Sequence, residues 1–169
     1  MLLHSFSQKF LSFQTKKGAV FKMETIYEIQ RIRQVISEVE GGETHIIRSP
    51  EDAAKVAAGF IGEDYREVFF VMCLNTKNRV VAVHRCHVGS INASIVHPRE
   101  VFKSAILNNS AAIILCHQHP SQDTNPSRED IEVTKRLVEA GRMMGIEVLD
   151  HLVVNAKAEY TSLKEKGYV

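Results

Sequence analysis

The chain is poor in the features that mark several large protein classes. It has three cysteines, Cys73, Cys86 and Cys116, in 169 residues. The number is odd and no CxxC occurs, which argues against a disulfide framework and for a reducing compartment. Cys73 and Cys116 sit inside apolar runs and are expected in the core. Charge of one sign is also missing: 21 basic residues face 20 acidic ones, for a net charge of +1. That balance leaves no electrostatic footprint for nucleic acid or an anionic membrane. No apolar run approaches membrane-spanning length. There is no internal repeat and no low-complexity tract. The first 22 residues, MLLHSFSQKFLSFQTKKGAVFK, contain no Asp or Glu. Transit segments are acid-poor too, but they are Arg-rich, and this stretch has no Arg. A disordered extension over 1–23 is the preferred reading, with Met23 opening a better helical pattern.

What is present reads as an ordinary globular domain, 44% hydrophobic and 24% charged. Residues 24–39 place Ile26, Ile29, Ile32 (or Arg33) and Ile36 at helical spacing. Gly41-Gly42 ends that helix, and 24–48 reads as a helix and linker. Ser49-Pro50-Glu51-Asp52 is a strong helix start, with Gly62 as its stop. Residues 67–74 and 79–88 read as a β-hairpin around Asn75–Asn78. Pro98 opens a helix, with His97 as its cap. Residues 111–116, AAIILC, are wholly apolar, which predicts a central strand buried on both faces. Ser127 opens a helix that Gly145 ends, and 146–154 is a further strand. The tail to Val169 is expected to hold at most a short helix. The order predicts an α/β fold, a layered mixed β-sheet flanked by helices, over 49–169.

The chemistry concentrates in HQHPSQDTNPSRED, residues 117–130. His117 and His119 sit at a strand end, where i and i+2 share a face, so both imidazoles can aim at one point. Asp130 lies in the first turn of the following helix. Two imidazoles and a carboxylate are a catalytic zinc set, with a fourth position left for water. A local alternative weighs equally: Ser127-Arg128-Glu129-Asp130 fits a capping box, which needs no metal. A zinc hydrolase also needs a carboxylate near the water but off the metal, and Glu67 is the candidate.

Together these residues fit E…H-x-H-x7-S-x2-D and resemble the JAMM motif of the JAB/MPN metalloproteases, closest to the bacterial RadC-like (UPF0758) branch. The resembling stretches include REVFFVMCLNTKNRVV, NASIVHPREVFKSAILNN and MGIEVLDHLVV, and cover roughly 50–155. The resemblance implies a cytidine-deaminase-like fold and a cytoplasmic bacterial protein. It implies one Zn2+ per chain, held by His117, His119 and Asp130. Glu67 would be general base and acid, and Ser127 would hydrogen-bond the oxyanion of a tetrahedral intermediate. The implied activity is a metallopeptidase acting on a peptide or isopeptide bond of a peptide or protein substrate. The alternative is a non-catalytic interaction or DNA-repair-associated domain on the same scaffold; the family's repair label is association, not mechanism.

Where relatives read HNHPSGD, this chain has Gln118 and Gln122. Gln118 is expected to point off the metal face with small effect. Gln122 replaces a permissive glycine and is expected to reshape the exit loop. Residues 1–48 lack the length and glycine pattern of the helix–hairpin–helix module of longer members, so its DNA contact is not expected here. Ser121 and Asp123 read as turn residues. For Asp150-His151, ordinary strand-end hydrogen bonds are preferred over orienting a zinc histidine. His84 and His87 flank Cys86, but strict alternation puts them on opposite faces, which rejects a second metal site. A deaminase is excluded, because H-x-E and P-C-x-x-C are absent. Asp130 is expected to give its carboxylate to the metal, leaving the capping box only partly formed.

Overall fold

The computed structural model describes Gln34, residues 45–91 and residues 96–169. The expected extension over 1–23 and helix over 24–39 lie outside the described residues, Gln34 apart. Among the described residues the order is α1 (Pro50–Ile61), β1 (Val68–Leu74), β2 (Val80–Val88), α2 (Pro98–Leu107), β3 (Ala112–Gln118), α3 (Arg128–Met144), β4 (Glu147–Val154) and β5 (Tyr160–Ser162). The strands form one sheet in the order β2-β1-β3-β4-β5. β3 and β4 run parallel and the other pairs antiparallel. The predicted α/β fold with a layered mixed sheet is the one observed.

The helix starts are set by their caps. Ser49 accepts from Asp52 N, the Asp52 side chain reaches back to the cap, and Pro50 takes the first turn. His97 caps α2 by accepting from Arg99 N. Gly62, the C-cap of α1, leaves no room for a side chain: a Cβ there would lie 2.7 Å from Ala58 O and 2.9 Å from the Ala156 Cα. α3 stops at Gly145, which takes a left-handed φ of 68°.

The sheet is covered on both sides, so its central strands are apolar throughout. β1 and β3 are buried at every position. Alternation sorts their side chains. Phe70, Met72, Leu74, Ile114 and Cys116 pack with Ala53, Ala57 and Ile61 of α1. Phe69, Val71, Ile113 and Leu115 pack on the opposite face with Phe102 of α2 and Val133 and Leu137 of α3. Phe69, Phe70 and Phe102 are fully buried, each contributing about 1.5–3 kcal/mol of transfer free energy.

Three expectations need correction. β3 runs two residues beyond 116, so His117 and Gln118 belong to the strand itself. The tail holds a strand, not a helix. Tyr160–Ser162 pairs with Val154–Leu152. The buried Asp150 anchors this end of the chain by accepting from Ser162 Oγ at 2.7 Å and Lys164 N at 3.1 Å. Finally, His84 and His87 share a face. The β1–β2 register slips between Phe69 and Phe70, so His87 pairs with Phe69 and His84 with Val71. The extra residue of a β-bulge breaks strict alternation. A second metal site here remains without support for a different reason: among the described residues, the metal-capable group of three or more is elsewhere.

Candidate metal centre

A loop joins β3 to α3, with His117 and His119 at its β3 end and Asp130 at its α3 end, and Glu67 precedes the start of β1 beside them. His117 and His119 follow one another on one face of β3 and just past its end. His117 is fully buried and His119 half-buried. The loop turns back, and Asp130 enters from the third residue of α3. The three side chains close into a triangle. His117 Nε2 lies 3.2 Å from His119 Nε2 and 3.2 Å from Asp130 Oδ1. His119 Nε2 lies 3.4 Å from Asp130 Oδ2. Glu67 stands farther off, its Oε1 4.0 Å from His119 Nε2. Glu67, His117, His119 and Asp130 each offer one donor atom within 4.8 Å of the others, an arrangement that can hold a metal ion.

The donor set fits a tetrahedral cation on size. Bonds of ~2.0 Å to nitrogen give a tetrahedron with edges of about 3.3 Å. The three inner donors already stand at that spacing. Exposure shows where the centre opens: the His117 and Asp130 side chains are 0% and 2% exposed, those of His119 and Glu67 18% and 19%.

Electrostatics reflect this packing. Burial alone would raise the Asp130 pKa. Hydrogen bonds from His117 and His119 outweigh it and hold the carboxyl far below the usual range. The His119 pKa is raised, first by its hydrogen bond to Asp130 and against the effect of burial.

The surroundings fix each donor. Ile91 N–H donates to Glu67 Oε2 at 3.1 Å, which leaves Oε1 facing the centre. His119 Nδ1 lies 2.8 Å from the Asp123 carbonyl, which can only accept, so this nitrogen carries a proton and Nε2 is the atom turned to the centre. Ser121 and Asp123 are otherwise turn residues, as expected. Phe69 stacks on His117 at 6.4 Å and meets His151 edge-on at 5.4 Å.

The capping box is complete, contrary to expectation. Asp130 N donates to Ser127 Oγ at 3.1 Å, and Asp130 Oδ2 accepts from Ser127 N at 2.7 Å and Ser127 Oγ at 2.7 Å. The two readings of Asp130 are compatible because a carboxylate has two oxygens, each with two acceptor sites. Oδ2 serves the cap while Oδ1 faces His117.

Sequence reasoning undervalued Gln118, His151 and Thr134, and singled out Gln122 without its contacts. Gln118 does point off the metal face, but its effect is not small. It is fully buried. Its Nε2 donates to Asp64 O at 2.8 Å and Arg66 O at 2.7 Å, and its Oε1 accepts from Val68 N at 3.3 Å. It therefore clasps the segment that delivers Glu67. Replacing Gln118 with Leu strands two carbonyls and should cost about 2–3 kcal/mol in urea denaturation; an unchanged midpoint would show that water replaces the amide.

Gln122 sits at φ 62°, the left-handed region that favours glycine. Its side chain offsets the strain by bridging α1 to the β4–β5 turn, donating to Gly62 O at 3.2 Å and accepting from Ala156 N at 2.8 Å. Ala at 122 keeps the strain and loses the bridge, whereas Gly loses only the bridge. Gln122→Ala should therefore be the less stable of the two by about 1 kcal/mol, read from thermal melts.

The other two residues are His151 and Thr134. Asp150 makes the ordinary hydrogen bonds expected of it, but His151 is wholly buried against the centre. His117 Nδ1 and His151 Nε2 are 2.8 Å apart. His151 Nδ1 and Thr134 Oγ1 are 2.5 Å apart. Burial first, then neighbouring His117, hold the His151 pKa well below its ordinary value. The only sequence signal for Thr134 was its position four residues after Asp130, one helical turn.

The fold and site thus define an α/β domain with a metal-capable His-His-Asp cluster and an adjacent Glu. A family model described as RadC-like JAB domain matches residues 47–168. The chain belongs to this RadC-like JAB domain family. A UPF0758 protein of Geobacillus sp. (strain WCH70) is 54% identical over 138 residues, covering 79% of this chain and 59% of its own length. UPF0758 protein YsxA of Bacillus subtilis (strain 168) is 46% identical over 169 residues, covering 91% of this chain and 71% of its own length. The chain thus spans under two-thirds of several curated relatives it matches. No helix among the described residues is long and apolar enough to cross a membrane.

Proposed function

We propose that the chain is a zinc-dependent hydrolase of the JAMM type that cleaves a peptide or isopeptide bond in a peptide or protein substrate in the bacterial cytoplasm. In this reading His117, His119 and Asp130 hold one Zn2+, and Glu67 is the general base and acid. The observation that carries it is the spacing: three donors stand at tetrahedral-edge separation while Glu67 is set back at 4.0 Å from His119 Nε2.

Bound zinc supplies a Lewis acid that acidifies water and polarises the scissile carbonyl. The remaining work falls to side chains. Glu67 Oε1 accepts a proton from the attacking water as the water oxygen bonds to the carbonyl carbon. Glu67 then delivers that proton to the leaving nitrogen as the C–N bond breaks. Ile91 N–H keeps this carboxylate aimed throughout. The Ser127 hydroxyl, which here donates to Asp130 Oδ2, lies on an exposed residue. It turns to donate to the oxyanion of the tetrahedral intermediate.

The test is metal analysis coupled to digestion of a peptide library. About one zinc per chain and cleavage by the wild type are expected. Zinc without cleavage of any peptide would favour the interaction-scaffold reading, and absence of zinc would overturn the assignment of the centre.

A further inference from the structure

His151 and Thr134 extend the cluster inward, and their hydrogen bonds have only one consistent direction. The Asp130 carbonyl can only accept, so the Thr134 hydroxyl donates its single proton there, at 2.6 Å. Thr134 Oγ1 then has nothing left to give His151, 2.5 Å away, and must accept from it. The proton of the neutral His151 ring is therefore on Nδ1, and Nε2 is a lone pair. That lone pair faces His117 Nδ1 at 2.8 Å, so His117 donates from Nδ1. His117 Nε2, the atom that faces His119 and Asp130, is then the nitrogen left to turn toward a metal.

We propose that His151 and Thr134 are positioning residues, a one-way relay that locks His117 in the Nδ1–H tautomer and ties its ring to the backbone of Asp130. The inference rests on the reading of the centre as a zinc site and adds how two of its donors are coupled. His117 is oriented by a buried side-chain relay anchored on α3. His119 is oriented separately, by the Asp123 carbonyl of the exit loop. Metal-binding histidines depend on such a partner for tautomer and ring orientation, and losing it weakens metal affinity about 10–100-fold.

Zinc affinity of the full chain, measured by competition with a chromogenic chelator, tests this. His151→Phe fills the same space but cannot accept, and its affinity should fall about 10–100-fold. Thr134→Val keeps the shape, removes the hydroxyl and should fall in the same direction by less. His151→Gln, whose amide can both accept and donate, should recover much of the loss. The Phe and Val changes combined should be no worse than Phe alone, because they interrupt one relay. A second readout needs no metal: 15N imidazole shifts of the zinc-free protein should report a proton on His117 Nδ1, with a form lacking it appearing in Thr134→Val.

A folded His151→Phe protein with zinc affinity within about twofold of wild type would overturn the relay, given the effect expected of such partners. So would a wild-type His117 whose Nδ1 carries no proton. If His151→Phe does not fold, Thr134→Val and the tautomer decide. Failure of the wild type to bind zinc would refute the metal centre, while the tautomer would still report on the relay.

Discussion

Asp130→Ala protein should purify with almost no zinc and melt at a lower temperature than zinc-free wild type. Two separate losses combine. Asp130 is one of three donors around the centre, and without it two imidazoles remain, too few for a stable tetrahedral site. It is also the reciprocal partner in the α3 capping box, whose removal costs about 0.5–2 kcal/mol. Asp130→Asn separates these effects. The amide oxygen can still accept from Ser127 N, so that variant should lose zinc yet keep more of the stability. Metal analysis and thermal melts of both variants check this; zinc retained at one per chain in Asp130→Ala would remove Asp130 from the donor set.

The same pair sets a pH dependence. The His119 pKa is raised above 6.5, chiefly by Asp130. Its contribution to the zinc-free fold is therefore fully present below the unfolded value. It is lost as pH rises through the higher folded value. The Asp130 pKa is lowered from 3.8, so its contribution is present above that value and disappears on acidification below it. The stability gap between zinc-free wild type and Asp130→Ala should accordingly be wider near about pH 5–6 than near about pH 8. Zinc affinity should run the other way and rise with pH, because the metal must displace the His119 proton.

Glu67→Gln should keep its zinc and lose hydrolysis by about 10²–10⁴-fold, the usual share of a general base. The glutamine oxygen can still accept from Ile91 N, so the side chain stays where it is, but it can no longer take a proton. The reason to expect retained zinc is the set-back of Glu67 at 4.0 Å from His119 Nε2, against 3.2 Å between the two imidazoles. Metal content and single-turnover cleavage of a library-derived peptide measure the two halves independently. Loss of zinc would make Glu67 a fourth ligand; unchanged turnover would place the base elsewhere.

Legibility of the centre in the sequence tracks distance along the chain. His117 and His119 were readable as a pair because alternation in a strand is local. Ser127 and Asp130 were readable because a capping box spans one helical turn. Gln118 was misjudged because its partners, Asp64 and Arg66, lie 54 and 52 residues away. The bond between His117 and His151 spans 34 residues. Nothing in VLDHLVV marks which histidine face meets which strand. β5 escaped for a related reason: three residues are too few to show a period, and pairing with β4 makes them a strand. The face of His87 was misread because a bulge leaves no mark in an alternating pattern.

Local order was therefore set by the sequence alone. Side-chain periodicity, helix caps and wholly apolar runs determined α1, α2 and α3, four of the five strands and the buried mixed sheet. They also put two imidazoles on one face with a carboxylate one loop away. Tertiary structure decided the distances. Register across β1, β3 and β4 set Glu67 back from the triangle of donors, sent Gln118 to clasp its segment, and placed His151 between His117 and Thr134. Periodicity says which way a side chain points. Only the packing of one strand against the next says what it meets there, because partners dozens of residues away leave no local period to read.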